Sequence, residues 1–205
     1  MDKGKQTKTR ILECAMLFVC QNGLFTISIG EMAKQMKMSR TGVISHFKDK
    51  QDMQIAILRH CEKVFIQQVL KPSFNLHPKT HLVNLTQNWI NWVYKLTDVK
   101  HMTCPFIKAV AEFQDRPECL VKAVLREQQQ RTVDFLESII QRGIDQNVMC
   151  REANPNRIAN DIYGFYLGHN ISKHLLNDQH ADNRFEQQIG QLIKRIEPME
   201  GLDHE

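Results

Sequence analysis

Residues 38–50 read MSRTGVISHFKDK. Met38, Val43, Ile44 and Phe47 have the character of a core, whereas Arg40, Lys48 and Lys50 have that of a surface. Between them stand Ser39, Thr41, Gly42 and Ser45, which are small and polar. Ser39 is an N-cap type, so the pattern predicts a short helix over about 40–46. One face of this helix must pack, through Val43 and Phe47. The other carries no bulky apolar group and suits close approach to a polar surface.

The neighbouring segments give this helix its setting. Ser28, with Glu31 three residues on, forms a capping box and predicts a helix over about 29–36. Ile11, Leu12, Ala15, Phe18 and Val19 form the apolar stripe of a first helix over about 5–22. Asn22-Gly23 ends it, with glycine suited to the left-handed cap. Downstream, Asp49 caps a long fourth helix to about residue 71, carrying Ile57, Cys61, Val64, Phe65 and Gln68 at helical spacing. Two short helices joined by a few residues and packed on a longer first one make a helix-turn-helix.

The second helix of such a unit lies in the DNA major groove, where side-chain chemistry is specific. Arg40 can bond guanine O6 and N7 together, and Thr41 can bond a base or touch a thymine methyl. Ser39, Ser45, His46, Lys48 and Lys50 can hold phosphates. An ordinary helical corner with a basic rim would share this outline. Charge leans toward DNA. Residues 1–50 hold nine Lys/Arg against four Asp/Glu, and the remainder eighteen against nineteen. The positive charge of the chain is thus confined to one end, as for a protein that meets a polyanion there.

Beyond residue 50 the pattern stays helical. The prolines fall between periodic segments or in their first turns, and no alternating strand pattern occurs. Further helices are expected over 79–98, 105–114, 117–146, 155–177 and 182–196. The fold class is therefore all-α, with about nine helices. Gly164 and Gly168 stand four apart among Tyr163, Phe165, Tyr166 and Leu167, a spacing that lets helix backbones approach closely.

Other chemistries find little footing. No run is long and apolar enough to cross a membrane. The polar, basic N-terminus is not read as a secretory signal. The six cysteines are scattered without C-x-x-C spacing, which fits a reducing, cytoplasmic setting. Cys104, Cys119 or Cys150 remains a candidate oxidation sensor. His77 and His81 are four apart but lack a third ligand nearby. No metal, cofactor or catalytic residue is expected, since neither a phosphate loop nor a nucleophile motif is present.

Residues 8–53, KTRILECAMLFVCQNGLFTISIGEMAKQMKMSRTGVISHFKDKQDM, resemble the N-terminal domain of the tetracycline-repressor (TetR) family. Carrying the likeness are Thr9-Arg10-Ile11-Leu12, Ala15 with Leu17-Phe18, Gly23, Ser28, Met32-Ala33, Met38-Ser39, and His46-Phe47 with Lys50. Two departures stand out. The family often has glycine in the turn where this chain has Lys37, which could also reach a phosphate. It often has aromatic residues where Ile44 and Ser45 stand here, so a different operator sequence is implied.

The resemblance implies a DNA-binding domain over residues 1–50 and a helical ligand-binding and dimerisation domain over 51–205. DNA contacts would come from Ser28, Lys37, Ser39, Arg40, Thr41, Gly42, Ile44, Ser45, His46, Lys48 and Lys50. The expected partners are double-stranded DNA with a pseudo-palindromic operator and a second copy of the chain, joined through helices about 117–146 and 155–177. A small-molecule effector would be lined by Phe65, Trp89, Val93, Met102, Phe106, Phe113, Phe135 and Tyr166, residues that would equally serve as ordinary core. The implied function is a repressor released by that effector; ligand-independent and redox-sensing regulators are the alternatives.

Overall fold

The computed structural model describes residues 3–96 and 102–198. Residues 97 and 98 of the expected helix 79–98 lie outside that set. The described residues form helices and no strand. These are α1 Lys3–Asn22, α2 Ile29–Met36, α3 Arg40–Ile44, α4 Lys50–Phe65, α5 Lys71–Ser73, α6 Pro78–Asn91, α7 Pro105–Phe113, α8 Leu120–Asp145, α9 Pro155–His174 and α10 Ala181–Arg195. A π-helical turn, Ile66–Leu70, joins α4 directly to α5. Counting that continuous run once leaves nine separate helices among the described residues, the number expected.

Several boundaries follow from single side chains. Ser28, Ser39, Asp49 and Asn154 each accept the N–H three residues on, capping α2, α3, α4 and α9. Proline occupies the first turns of α6, α7 and α9. Pro72 behaves otherwise: helical structure continues through it instead of ending at about residue 71. A proline lacks the N–H that would bond to the carbonyl four residues back, and its ring crowds that carbonyl. The π turn just before it widens the helix where this conflict falls.

Compactness divides the chain into two units, Met1–Ile66 with Val93–Gln128 and Gln67–Trp92 with Gln129–Glu205. In the first, α1 packs on α2, α4 and α7, and α2 on α3. Its core includes Ile11, Ala15, Val19, Leu24, Ile27, Met32, Val43, Phe47, Met53, Ile57, Leu58, Ala109, Phe113, Val121 and Leu125. The helix-turn-helix therefore shares one apolar core with α7 and the start of α8. In the second unit α10 packs on α9 and α6, and α5 on α6. Leu82, Leu85, Trp92, Leu136, Ile139, Ile162, Phe185 and Ile189 are buried there.

Candidate nucleic-acid interface

α3 has only five residues, and an isolated helix of that length does not hold in water. Three local devices hold it. Ser39 Oγ accepts the Gly42 N–H at 3.0 Å. Ser45 Oγ donates to Gly42 O at 2.9 Å. Val43 is fully buried in the core of the unit. Residues 45–47 then tighten into turns rather than extending the helix to 46, with the His46 N–H donating to Val43 O and Phe47 N–H to Ile44 O.

The face left open carries the small and polar residues of the stretch. Ser39, Arg40, Thr41, Ile44 and Ser45 are exposed, and Gly42 and His46 are half-exposed. Ile44, which has the character of a core residue in the sequence, is instead 52% exposed on this face. Ser28, Lys37 and Lys48 are also exposed, around this row. Among the described residues, no lysine or arginine of residues 3–50 forms an ion pair. Among the described residues, then, no ion pair neutralises the basic charge of this end.

Three residues have settings that spacing did not reveal. Lys37 sits in the left-handed region, φ 51° and ψ 42°, as the C-cap of α2. Its N–H donates to Ala33 O and Lys34 O, so a residue with a Cβ occupies a glycine-type position. Arg40 lies back over α2: a Cβ at Gly30 would stand 3.3 Å from Arg40 Nη2. Lys50 does not extend freely. Its Nζ donates to Phe25 O at 2.7 Å and lies 4.9 Å from the Phe25 ring centroid. Asp52, unmarked in the sequence reading, accepts the Lys48 N–H at 3.0 Å and so orients the chain between α3 and α4.

The effector candidates fall into separate groups. Phe65 meets Phe106 edge-on at 6.1 Å. Phe113 meets Phe25 at 6.2 Å, within the core shared with the helix-turn-helix. Val93 and Met102 are buried. In the other unit Trp89 stacks on Tyr166 at 4.2 Å, and Phe135 packs on His81 at 5.8 Å. His81 is itself buried, and its Nδ1 accepts from Arg142 Nη2 at 2.8 Å. Burial, and then the guanidinium, hold its pKa below the ordinary histidine value.

Burial also bears on the thiols. It pushes Cys20 up to about 12 and Cys61 well above its ordinary value. Cys104 is buried, while Cys119 and Cys150 are half-buried. Cys150 Sγ donates to Glu152 Oε2 at 2.7 Å. A thiol is the less reactive form, so the raised values of Cys20 and Cys61 do not favour ready oxidation. Among the described residues no three His, Cys, Asp or Glu side chains converge as metal ligands.

On α9, Gly164 and Gly168 face open space: a Cβ at either would meet nothing within 4 Å. Ile171 and Leu175 continue the same row, 51% and 69% exposed. A groove of about 160 Å³ runs beside it, lined by Gly164, Phe165, Gly168 and Ser172 of α9 and Arg184 and Gln188 of α10, among others. The outer face of α8, by contrast, is polar, with Arg126, Gln130, Asp134, Ser138 and Gln141 exposed.

Comparison with known proteins bears on both halves of the chain. Residues 78–189 match the family model of the tetracyclin repressor-like C-terminal domain. A TetR-family transcriptional regulator from Cytophaga hutchinsonii superposes with a TM-score of 0.81 at 18% identity, covering 98% of this chain and 99% of that one. A TetR transcriptional regulator from Chloroflexus aurantiacus gives 0.83 at 15% identity, covering 96% and 98%. AibR, solved in complex with isovaleryl coenzyme A and operator DNA, gives 0.63 at 21% identity, covering 93% and 98%. No curated protein matches the chain by sequence.

Proposed function

Because this chain belongs to the tetracycline-repressor (TetR) family of transcriptional regulators, we propose that it is a homodimeric, sequence-specific repressor released from its operator by a small-molecule effector. Residues 1–50 bind DNA, and residues 51–205 bind the effector and form the dimer. The observation that carries this reading is the row Ser39–Ser45. It is a capped, packed helix whose exposed face holds only groups able to approach base edges, at the one strongly basic end of the chain.

Dimerisation follows from the size of that helix. Five residues reach too few bases for specificity, so two copies read two half-sites on one face of the duplex. The seam is centred on α9. Its open glycines and exposed Ile171 and Leu175 suit a second helix at close range. The adjoining groove adds α10 to that seam, in place of the α8 that the family resemblance implied. The protein works in the cytoplasm; no described helix is long and apolar enough to cross a membrane.

AibR has been solved with an acyl-coenzyme A and DNA bound together. For this chain the effector is a small, partly apolar molecule that displaces some of the aromatic contacts around Trp89 and Tyr166 or Phe65 and Phe106. It acts by binding one spacing of the two α3 helices more tightly than the other. The helical run Lys50–Ser73, which starts directly after the DNA-reading helix, carries the change.

Selection of bound sequences from random duplexes tests this function. The expected product is a pseudo-palindrome, with affinity falling steeply as salt rises. An Arg40→Ala variant should relax preference at one base pair by about 1–3 kcal/mol. Loss spread evenly over all sequences would reduce Arg40 to a phosphate contact. A dimer that retains no duplex at low ionic strength would end the reading.

A further inference from the structure

The turn between α1 and α2, residues 23–25, is held by side chains from two other helices of the same unit. From α7, Glu112 Oε2 accepts the N–H of Leu24 at 2.7 Å and of Phe25 at 3.0 Å. From α4, Gln54 Nε2 donates to Leu24 O at 3.0 Å and Lys50 Nζ to Phe25 O at 2.7 Å. All four backbone polar groups of Leu24 and Phe25 are thus met by side chains. The Phe25 ring, 42% exposed, is covered by the guanidinium of Arg116, 3.5 Å from its centroid. Gly23 makes the approach possible. It has φ +85°, and a Cβ there would stand 1.9 Å from Glu112 Oε1. Nearby, Lys108 Nζ donates to Gln21 O and the Thr103 N–H to Cys20 O, so residues 103–116 track the end of α1.

A pair of residues whose backbone bonds all go to side chains elsewhere, as at Leu24 and Phe25, has no hydrogen-bond register of its own, whereas the Gly23 N–H still donates to Val19 O. The pair lies where α4 and α7 place it, and α2 and then α3 start from it. We propose that Glu112 is a positioning residue for operator binding. By seating residues 23–25 it sets the tilt of α2 and α3, and a movement of α7 reaches the DNA-reading helix through it. This rests on the reading of α3 as the DNA-reading helix.

The test compares Glu112→Gln with the wild type on the duplex that the wild type selects. The variant should keep the helical signal and melt close to the wild type. Its Leu24 and Phe25 amides should exchange faster with solvent. Its operator affinity should fall by about tenfold, the scale of one charge-assisted hydrogen bond, with the salt slope unchanged. A purely structural role would lower the melting temperature and leave the affinity of the folded protein alone. Faster amide exchange with wild-type affinity therefore overturns the proposal. Should Glu112→Gln fail to fold, Glu112→Asp serves instead, since it keeps the charge and draws the carboxylate back from the Leu24 and Phe25 amides. The same loss is expected, and unchanged affinity again overturns the proposal. A wild type that selects no duplex removes the regulatory reading and this inference with it, a result distinct from a variant matching a wild type that binds.

Discussion

Lys37 shows what a single residue can reveal and conceal. Its place in the turn between α2 and α3 was legible from the helix-turn-helix spacing; its left-handed φ of 51° is visible only in the structure. A side chain there costs about 1 kcal/mol, so Lys37→Gly should raise the melting temperature by roughly 2–4 °C. If the ammonium also meets a phosphate, the same change lowers DNA affinity on every sequence and reduces the salt slope by about one. Calorimetry and a salt titration on one variant separate the two effects, and a lower melting temperature refutes the strain. Three histidines carry a second residue-scale prediction. Burial is the first cause that holds His60, His81 and His169 below the ordinary value, though Asp182, 2.7 Å from His169 Nε2, opposes it there. The unfolded chain takes up these protons near about pH 6.5, before the folded one does. Stability contributed by the neutral rings is therefore full above that pH and is lost as pH falls through it. The melting temperature should drop between about pH 7 and pH 5. His81→Gln, which keeps an acceptor for Arg142, should make the drop shallower; a flat profile in the wild type would contradict this. None of these burials was legible, because a histidine on an apolar face looks the same in sequence whether or not an arginine meets it.

Helix starts were the most legible elements. Ser28, Ser39 and Asp49 announced themselves, since a cap acts through a residue only three positions away. Ends and interruptions were less so. The helix expected over 40–46 stops at Ile44, the one over 117–146 begins at Leu120, and the one over 155–177 ends at His174. The π turn at Ile66–Leu70 had no signature, because its bonds run between backbone groups and only Pro72 marks the place. Ser39 lets the cap be separated from the function proposed for it. Ser39→Ala removes the acceptor for the Gly42 N–H and should cost about 1 kcal/mol of stability. Ser39→Asp keeps the cap and adds a charge that favours the helix N-terminus, so it should fold as well as the wild type or better. That same charge faces the DNA phosphates, and operator binding should collapse. Weak binding by the alanine variant and strong binding by the aspartate variant would mean that α3 does not face DNA.

At the scale of the molecule, the family resemblance implied a division at residue 50, whereas compactness joins α1, α2 and α3 to residues 93–128. The difference rests on contacts such as Glu112 to Leu24, 88 positions apart, which no local pattern announces. Gly164 and Gly168 stood out in the sequence by their spacing, but the open direction they face is visible only in the structure. Their openness makes a substitution there unusually informative. Within one protomer a Cβ at Gly168 meets nothing within 4 Å, and replacing a helical glycine with leucine should add roughly 0.5–1 kcal/mol of helix stability. On a bare surface, Gly168→Leu would therefore be neutral or stabilising. At a seam between close helices it would force the copies apart. Sedimentation should then show a monomer with the helical signal retained, and operator affinity should fall to that of a single half-site. Cysteines separate the two possible neighbours of α9. A twofold seam that includes α10 should let Gln188→Cys cross-link the copies readily, and one that includes α8 should favour Ser138→Cys. A Gly168→Leu protein that stays dimeric and binds its operator as before would place the seam away from α9 altogether.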